Sequence, residues 1–313
     1  MKKVLWLLIL FSCTPEDLPS QEADYWKDFV PFEAQYDPFS LPGDLIQGQK
    51  IAIDTIEIDE VSGMIASRSY PGYAWVHNDS GNDPELILIR LSDGKILCRY
   101  KDLDIQNVDW EDIAAYRDKN GKNWLVIGDI GDNQQLRSSM TLYYLEEPYY
   151  QDSMEGSVRI VEFDERSRHF IYPDGAFDAE ALFIDPDRGD AYIITKRDSR
   201  SRVYGIPYKE DYTQWDTAIF CGSFPFNGVT AADVKFDARI LVVRTYLDIF
   251  TWHWEFGSDI RQVMAGIPNK PFYDQSEPQG EAITWSIDDK SYYVLSEKLF
   301  GIQPVLYRWT YPY

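Results

Sequence analysis

The sequence predicts an all-β fold, a β-propeller of five blades, and three observations support this prediction. Aromatic and β-branched residues recur in short runs separated by Asp, Gly, Asn, Ser and Pro, which is typical of strands and turns. No segment after the N-terminal leader holds an amphipathic helical period. A unit of roughly 40 to 60 residues repeats along the chain, and this is the spacing of four-stranded propeller blades.

Each repeat begins with a short strand whose first residues are acidic or small and polar and whose later residues are apolar. These first strands are predicted at Glu60–Ile65, Asp109–Ala114, Asp178–Phe183, Thr230–Lys235 and Gln279–Thr284. Second strands are predicted at Tyr73–His77, Trp124–Gly128, Ala191–Thr195, Ile240–Arg244 and Ser291–Ser296. Third strands are predicted at Glu85–Leu91, Thr141–Leu145, Arg202–Pro207, Ile249–Trp254 and Val305–Thr310. Their aromatic content suits packing between blades.

The fourth strands decide how the ring closes. They are predicted at Lys95–Tyr100, Val158–Phe163, Thr217–Cys221 and Arg261–Ala265, whereas the fifth repeat ends after its third strand. The strand-like run Lys50–Ile58 precedes the first repeat, and we expect it to complete the last blade and hide the open sheet edges. Six blades are the alternative, because Arg168–Tyr172 and Asn269–Glu277 fit the repeat poorly.

The N-terminus resembles that of a bacterial lipoprotein. Two lysines after Met1 are followed by the apolar run Val4–Phe11 and by Ser12 before Cys13, the pattern of a lipobox. We therefore expect a signal peptide over residues 1–12, a lipid on Cys13, a tether over 13–45 and one propeller domain over 46–313. The protein would be lipid-anchored in the cell envelope, at the outer membrane, facing the periplasm or the surface. The alternative is an ordinary signal peptide in which Cys13 is incidental.

Charge and cysteine content exclude several classes of partner. The formal net charge of −22 argues against nucleic acid and other polyanions, since these partners select basic surfaces. Cys98 and Cys221 lie in apolar strand-like runs, so we expect two buried free thiols and no zinc site. We expect a monomer.

The candidate site is a ring of polar residues at one face of the propeller, because the starts of first strands and the ends of second strands meet there. The first strands contribute carboxylates, namely Glu60, Asp109, Glu111, Asp112, Asp178, Glu180, Asp233 and Glu281. The second strands contribute a histidine, carboxylates and cations, namely His77, Asp79, Asp129, Asp132, Lys196, Arg197 and Arg244. The sequence thus predicts a carboxylate ring interrupted by three cations.

Three interpretations of this ring remain open. The first is a calcium site, because calcium takes six to eight oxygen ligands; the candidate ligands are Glu60, Asp79, Glu111, Asp129, Asp132, Glu180 and Glu281. The second is a hydrolase in which Glu111 or Asp129 activates water and Lys196 and Arg244, with Arg197, stabilise an anionic transition state. The third is structural, with carboxylates that cap turns and pair with the cations.

The histidine and serine residues offer weaker catalytic candidates than the carboxylates and cations of the ring. His77 opens the segment His-Asn-Asp-Ser-Gly, where it is a candidate general base or a hydrogen-bonded structural histidine. Ser62 and Ser80 each precede a glycine, but neither has the strand-to-helix turn that a nucleophile elbow needs. Covalent serine catalysis is therefore disfavoured.

Several motifs resemble those of a poorly characterised group of secreted bacterial β-propellers. They are Gln106–Ala114, Ile127–Asn133, Tyr172–Gly175 with Asp178–Leu182, Val243–Tyr246 and Gln279–Ile283, and they span about residues 57 to 298. The most specific is Gly-Asp-Ile-Gly-Asp-Asn at 128–133. More distantly, the acidic strand starts are similar to those of phytase-like and esterase-like propellers. That resemblance implies calcium held by channel carboxylates, which in turn holds phosphate esters.

Two functions follow as hypotheses. The first is a metal-assisted hydrolase of phosphate esters, esters or lactones, with calcium on the carboxylate ring and a small anionic substrate. The second is a non-catalytic envelope module that binds a glycan, a peptide or a protein partner on the same face.

Overall fold

The computed structural model describes residues 25–43, 49–58, 60–163, 166–212, 214–271, 279–288, 290–298 and 301–310. The chain from Pro31 onward forms one compact unit, and residues up to Val30 form another. In the described part of that first unit, the Trp26 ring stands edge-on to the rings of Tyr25 and Phe29. The predicted signal peptide and Cys13 lie outside the described residues. Among the described residues, no helix has the length and apolar character needed to cross a membrane.

Five sheets form a β-propeller with five blades, as the repeats predict. Blade 1 runs outward through Val61–Ala66, Tyr73–Asn78, Glu85–Arg90 and Ile96–Lys101. Blade 2 runs outward through Trp110–Arg117, Asn123–Asp129, Met140–Glu146 and Ser167–Ile171. Blade 3 runs outward through Ala179–Ile184, Ala191–Thr195, Arg202–Ile206 and Ile219–Ser223. Each innermost strand contacts the innermost strands of both neighbouring blades, so the ring is continuous.

Blades 4 and 5 are built differently at their outer edges. Blade 4 comprises Val229–Lys235, Ile240–Thr245 and Ile249–His253, and Asn269 then pairs with Thr251 through an isolated bridge. Blade 5 comprises Gly280–Trp285, Ser291–Ser296 and Val305–Thr310, and its outer strand is Lys50–Thr55. The predicted closure of the ring by the N-terminal strand is therefore confirmed.

Two of the predicted fourth strands are wrong. Arg261–Ala265 lies in a helix, Ile260–Ala265, because Asp259 caps it by accepting a hydrogen bond from the Arg261 N–H at 2.9 Å. Val158–Phe163 does not belong to blade 2, since Ser157–Ile160 pairs in parallel with Ile96–Lys101 of blade 1. The fourth strand of blade 2 is Ser167–Ile171, in the stretch that had favoured six blades. Five blades result.

Short parallel segments cover the outer edges of blades 1 to 3. Besides Ser157–Ile160, these segments are Asp216–Thr217 on blade 2 and Phe32–Glu33 on blade 3. A buried ion pair strengthens the contact on blade 2, where Arg168 donates to the Asp216 carboxylate at 3.0 Å. A covered edge cannot pair with another chain, so these segments limit aggregation.

The core lies between the blades rather than in one central layer. Blades 1 and 2 share a cluster that includes Trp75, Trp110 and Phe163. The chain entering the ring packs Ile56 and Ile58 into a second cluster with strands of blades 1 and 5. Cys98 and Cys221 are both buried free thiols, as the sequence predicts.

Candidate functional site

A β-bulge at the start of every innermost strand sets the geometry of the channel. In each blade the register between the first two strands shifts after the first paired residue. A bulge re-aims the extra side chain. The bulged residues are Ser62, Glu111, Glu180, Thr230 and Glu281, and all five are buried. Because they hold equivalent positions, three glutamates lie at one level of the channel, at the end that we call the acidic mouth.

Two groups of three carboxylates form at the acidic mouth, and they share Glu111. In the first group, oxygens of Asp79, Asp109 and Glu111 all lie within 4.8 Å of one another. In the second group, the same limit holds for Glu111, Asp178 and Glu180. We refer to these five residues as the carboxylate cluster. Glu111 is held in place by Ser62, whose hydroxyl donates to its Oε2 at 3.1 Å.

Lys196 is the cation most closely bound into this mouth. It is buried, it forms an ion pair with Glu180, and its Nζ lies 4.8 Å from the centre of the Tyr246 ring. Burial alone would lower the pKa of Lys196, but Glu281 and Glu180 outweigh it and raise that pKa. Lys196 therefore stays charged and links the third and fifth blades electrostatically through these two glutamates.

Three carboxyl groups of the mouth have pKa values above their usual range. Burial raises the pKa of Asp109 to about 6, with repulsion from Asp79 and Asp178 adding to the effect. Burial followed by repulsion from Glu180 and Asp79 raises the pKa of Glu111 well above its usual value. Glu297 is similar, because burial and repulsion from Glu281 raise its pKa to about 7. At a given pH these three carboxyl groups are therefore protonated to a greater extent than carboxyl groups in water.

The arginines near the mouth are committed to protein groups. Arg197 forms an ion pair with Asp178. Arg137, which the sequence did not single out, pairs with Asp129 at 2.7 Å and donates to the Gly131 carbonyl at 2.7 Å. Arg244 is buried and donates to the Ala282 carbonyl at 2.8 Å. A Cβ on Gly280 would lie 1.7 Å from Arg244 Nη2, so only glycine leaves room for this guanidinium.

The structure brings some of the predicted ligands together and separates others. Asp79, Glu111 and Glu180 belong to the carboxylate cluster. Asp129 instead accepts from the Asp109 N–H, just before the innermost strand, at 3.2 Å, and Asp132 accepts from the Arg137 N–H in the loop after the second strand at 2.7 Å.

The remaining predicted ligands flank the cluster. Glu60 is exposed and accepts from Asn82 at 2.6 Å. Glu281 shares the Gln279 amide with Glu297, at 2.6 and 2.9 Å respectively.

His77 lies behind the ring wall. It is fully buried, its Nδ1 is 3.1 Å from the Asn78 carbonyl oxygen, and its ring stands edge-on to Trp110. Burial lowers the pKa of His77 to about 4, so its ring is neutral near pH 7. A Cβ on Gly63 would be 2.3 Å from Nε2, which shows how closely the innermost strand covers this side chain.

Two further carboxylates predicted for this face have other roles. Asp112 accepts from the backbone N–H groups of Leu182 at 2.8 Å and Ala232 at 3.1 Å, so it ties blade 2 to blades 3 and 4. Asp233 lies three residues beyond the bulge of its strand and accepts from Trp285 N at 2.8 Å. Its predicted place at the acidic mouth is wrong, because three extended residues carry the chain roughly 10 Å along the channel.

Sequence reasoning left three participants out of the ligand and catalytic sets. Asp109 and Asp178 were expected on the ring but not as ligands; each stands two residues before a bulged glutamate, and this Asp-x-Glu repeat is the signal. Glu297 directly follows the second strand of the last repeat, which the sequence places at this face, but it was not counted as a ligand or a catalytic residue.

Fold and site together define a five-bladed β-propeller with a carboxylate-lined channel mouth. No protein-family model matches the chain, and no curated protein matches it. Among solved structures, the chain is similar to one in the crystal structure of a nidogen/laminin complex. The two are 10% identical, the similarity covers 81% of each chain, and the TM-score is 0.46.

Proposed function

We propose that the protein binds calcium at the acidic mouth, and that the ion serves to hold a small anionic ligand there. The observation that supports this is the carboxylate cluster, two groups of three that share Glu111. Calcium takes six to eight oxygens at about 2.3–2.6 Å, and carboxylates supply them in one or two bonds each. Burial and then repulsion between carboxylates raise the pKa of Asp109 and of Glu111, and a bound cation would offset the repulsion.

The chemistry we propose at this ion is hydrolysis of a phosphate ester, an ester or a lactone. A bound divalent cation polarises the substrate oxygen and lowers the pKa of a coordinated water. If calcium held a water at the mouth, Glu297 would be the residue to accept its proton; in the ion-free protein, burial and repulsion from Glu281 raise the pKa of Glu297 to about 7. Lys196 lies at the same mouth and orients Glu180 through their ion pair.

The second candidate function is a binding module for a glycan, a peptide or a protein partner. Loops that surround the acidic mouth carry exposed apolar side chains, among them Leu103, Leu136 and Leu247. Exposed apolar side chains around a polar centre are typical of recognition surfaces. In either case the proposal places the protein in the cell envelope, held by a lipid on Cys13; a Cys13→Ala variant would then leave the membrane fraction.

Calcium binding is tested by thermal unfolding with calcium and with a chelator. We expect calcium to raise the Tm of the wild type, since a ligand that binds only the folded state stabilises it. Glu111→Gln should abolish the calcium-dependent part of the shift, because Glu111 belongs to both groups. Glu60→Gln is the matched control, an exposed carboxylate of the same face, and should keep the shift. A Tm that ignores calcium in the wild type contradicts the proposal.

Hydrolysis is tested separately on a panel of phosphate esters, carboxylic esters and lactones. With calcium bound, Glu297→Gln should lower kcat by roughly 10²- to 10⁴-fold, the usual contribution of a general base, while calcium affinity is kept. A calcium-binding wild type that turns over none of these substrates would favour the binding module.

A further inference from the structure

A cavity lies at the end of the channel opposite the acidic mouth. Its volume is about 160 Å³. It is bounded where the innermost strands of blades 1, 4 and 5 end, and the residues that matter here are Arg68, Asp233, Lys235 and Phe236. Asp237 also lines the cavity, so two cations face two carboxylates there, whereas at the acidic mouth the carboxylates outnumber the cations.

Arg68 enters this cavity with much of its hydrogen-bonding capacity unused. Its Nη2 donates to the Ala115 carbonyl at 2.9 Å, and its guanidinium carbon lies 5.5 Å from the centre of the Phe236 ring. Its Nε is buried and has no hydrogen-bond partner among the described residues. A guanidinium has five N–H donors, and a buried donor without an acceptor destabilises the folded protein.

The carboxylates nearest to Arg68 are occupied by other donors. Glu147 accepts from the Ser67 hydroxyl at 2.6 Å, the Trp75 indole at 2.9 Å and the Ser69 hydroxyl at 2.5 Å. Asp233 accepts from Thr284 Oγ1 at 2.9 Å, Trp285 N at 2.8 Å and Val234 N at 2.6 Å. Glu147 also accepts from the Arg68 backbone N–H at 3.1 Å. Burial lowers the pKa of the Arg68 guanidinium and outweighs the electrostatic effect of both carboxylates.

Lys235 supplies the second positive charge. It is buried, and its Nζ donates to the Ser286 carbonyl at 2.9 Å. Its carboxylate neighbour is Asp237, 3.3 Å away on a mostly exposed side chain. An ammonium has three N–H donors, so Lys235 keeps capacity for a further acceptor inside the cavity.

We propose that this cavity binds a compact oxyanion, a carboxylate or a phosphate, between Arg68 and Lys235. Guanidinium and carboxylate or phosphate groups match in a two-bond geometry, and an ammonium adds a point charge. A volume of about 160 Å³ suits a compact anion rather than a polymer, since a water occupies about 30 Å³ in the liquid. The anion is the acceptor that the buried Arg68 Nε lacks.

The test is isothermal titration calorimetry of inorganic phosphate and, separately, of acetate into the whole protein in the presence of a chelator. We expect saturable binding of one of these anions, which tells phosphate from carboxylate. Arg68→Gln and Lys235→Gln should each weaken it by about tenfold or more, as expected for a hydrogen bond to a charged group. Arg90→Gln is the control, because Arg90 is a partly exposed cation paired with Asp93.

A further variant distinguishes anion binding in this cavity from anion binding at the acidic mouth. Glu111→Gln alters the acidic mouth and should leave anion affinity unchanged. The proposal is overturned if neither anion binds saturably at millimolar concentration, or if binding survives in both Arg68→Gln and Lys235→Gln. It is equally overturned if Glu111→Gln abolishes binding. Should Arg68→Gln fail to fold, Lys235→Gln decides alone.

Discussion

At the scale of single residues, Lys196 is the cation that offsets the negative charge of the buried glutamates at the acidic mouth. Its ion pair with Glu180 and its electrostatic interaction with Glu281 hold two buried carboxylates in place. Removing one partner of a buried pair is costly, because the charge that stays behind has lost both water and its counter-ion. The same reasoning makes Lys196 a positioning residue, whatever ligand the mouth takes.

We predict that Lys196→Met destabilises the protein by about 3–5 kcal/mol at alkaline pH, and that the loss shrinks towards acidic pH. The pKa values of Glu180 and Glu281 are raised by burial and lowered by Lys196, so the variant raises them further. When folding raises the pKa of a carboxyl group, the free energy of unfolding falls as pH rises from the unfolded-state pKa to the folded-state pKa. Urea unfolding across pH measures this.

The control for that variant is Lys122→Met, which removes an exposed pair with Glu146. Surface pairs contribute about 0–1 kcal/mol, so this variant should unfold close to the wild type at every pH. A Lys196→Met deficit that is equal at acidic and alkaline pH would contradict the electrostatic explanation.

A second prediction concerns the wild type without calcium. The pKa of Asp109 rises on folding from 3.8 to about 6, and that of Glu297 from 4.5 to about 7. The folded state therefore holds more protons than the unfolded state in this range, and stability falls as pH rises from about 4 to about 7. Asp109→Asn and Glu297→Gln should each flatten that fall, as seen in urea midpoints against pH.

Calcium should oppose the same fall, because it competes with protons for the cluster. The wild type with calcium is expected to show a smaller loss of midpoint across this pH range than the wild type with a chelator. If the urea midpoint falls with pH in Asp109→Asn and Glu297→Gln as steeply as in the wild type, groups other than Asp109 and Glu297 cause the fall. Glu60→Gln serves as the control at the same face.

At the scale of strands and turns, the sequence predicted the parts of the fold that local pattern controls. Alternation and turn residues located all first, second and third strands, since each depends on neighbours within one blade. The helix Ile260–Ala265 was missed although Asp259 is an N-cap residue, because a six-residue helix has too few turns for a period to show. The parallel segments such as Phe32–Glu33 were missed because their partners are distant in the sequence.

In the candidate site, too, the sequence predicted what local pattern controls and missed what distant contacts control. The acidic starts of the first strands and the polar ends of the second strands predicted the carboxylate ring, and the bulges determine which of its members converge. A bulge changes no residue pattern, so the diversion of Asp129 to Arg137 could not be read from spacing. Local sequence determines where the strands end. Long-range packing determines which of the polar side chains at those ends come together.

The closing element yields a prediction of its own. Ile56 follows the closing strand and is 1% exposed within a shared cluster, whereas Ile51 within that strand is 39% exposed. Ile56→Ala should therefore destabilise the protein by about 2–5 kcal/mol, and Ile51→Ala by roughly 0.5 kcal/mol or less. Chemical denaturation of both variants compares them directly. Equal losses would show that the strand pairing, rather than the buried isoleucine, secures the ring.

At the scale of the whole molecule, the ring makes the five blades interdependent. Each innermost strand packs against two neighbours, and blade 5 is assembled from both ends of the described propeller. Opening one blade therefore exposes surfaces of both neighbours. This differs from an open stack of repeats, in which a terminal unit can unfold at little cost to the rest.

The two buried thiols report on this cooperativity. Cys98 lies in the fourth strand of blade 1 and Cys221 in that of blade 3, and both are fully buried. A thiol reagent reaches them only when their blade opens, so the labelling rate measures the population of the open state. Each labelling rate under native conditions is divided by the rate of the same cysteine in the unfolded chain. If the ring opens as one unit, the two ratios should agree within about a factor of ten, which corresponds to about 1.4 kcal/mol.

Peptide mass spectrometry resolves the labelling at each cysteine, and Ile56→Ala tests the link to ring closure. Because Ile56 packs beside blade 1 and blade 5, a cooperative ring transmits its loss to blade 3, and labelling of Cys98 and Cys221 should accelerate in parallel. Acceleration at Cys98 alone would show that blade 1 opens by itself. In that case the carboxylate cluster, which draws on blades 1, 2 and 3, would lose its Asp79 contribution before the rest of the propeller unfolds.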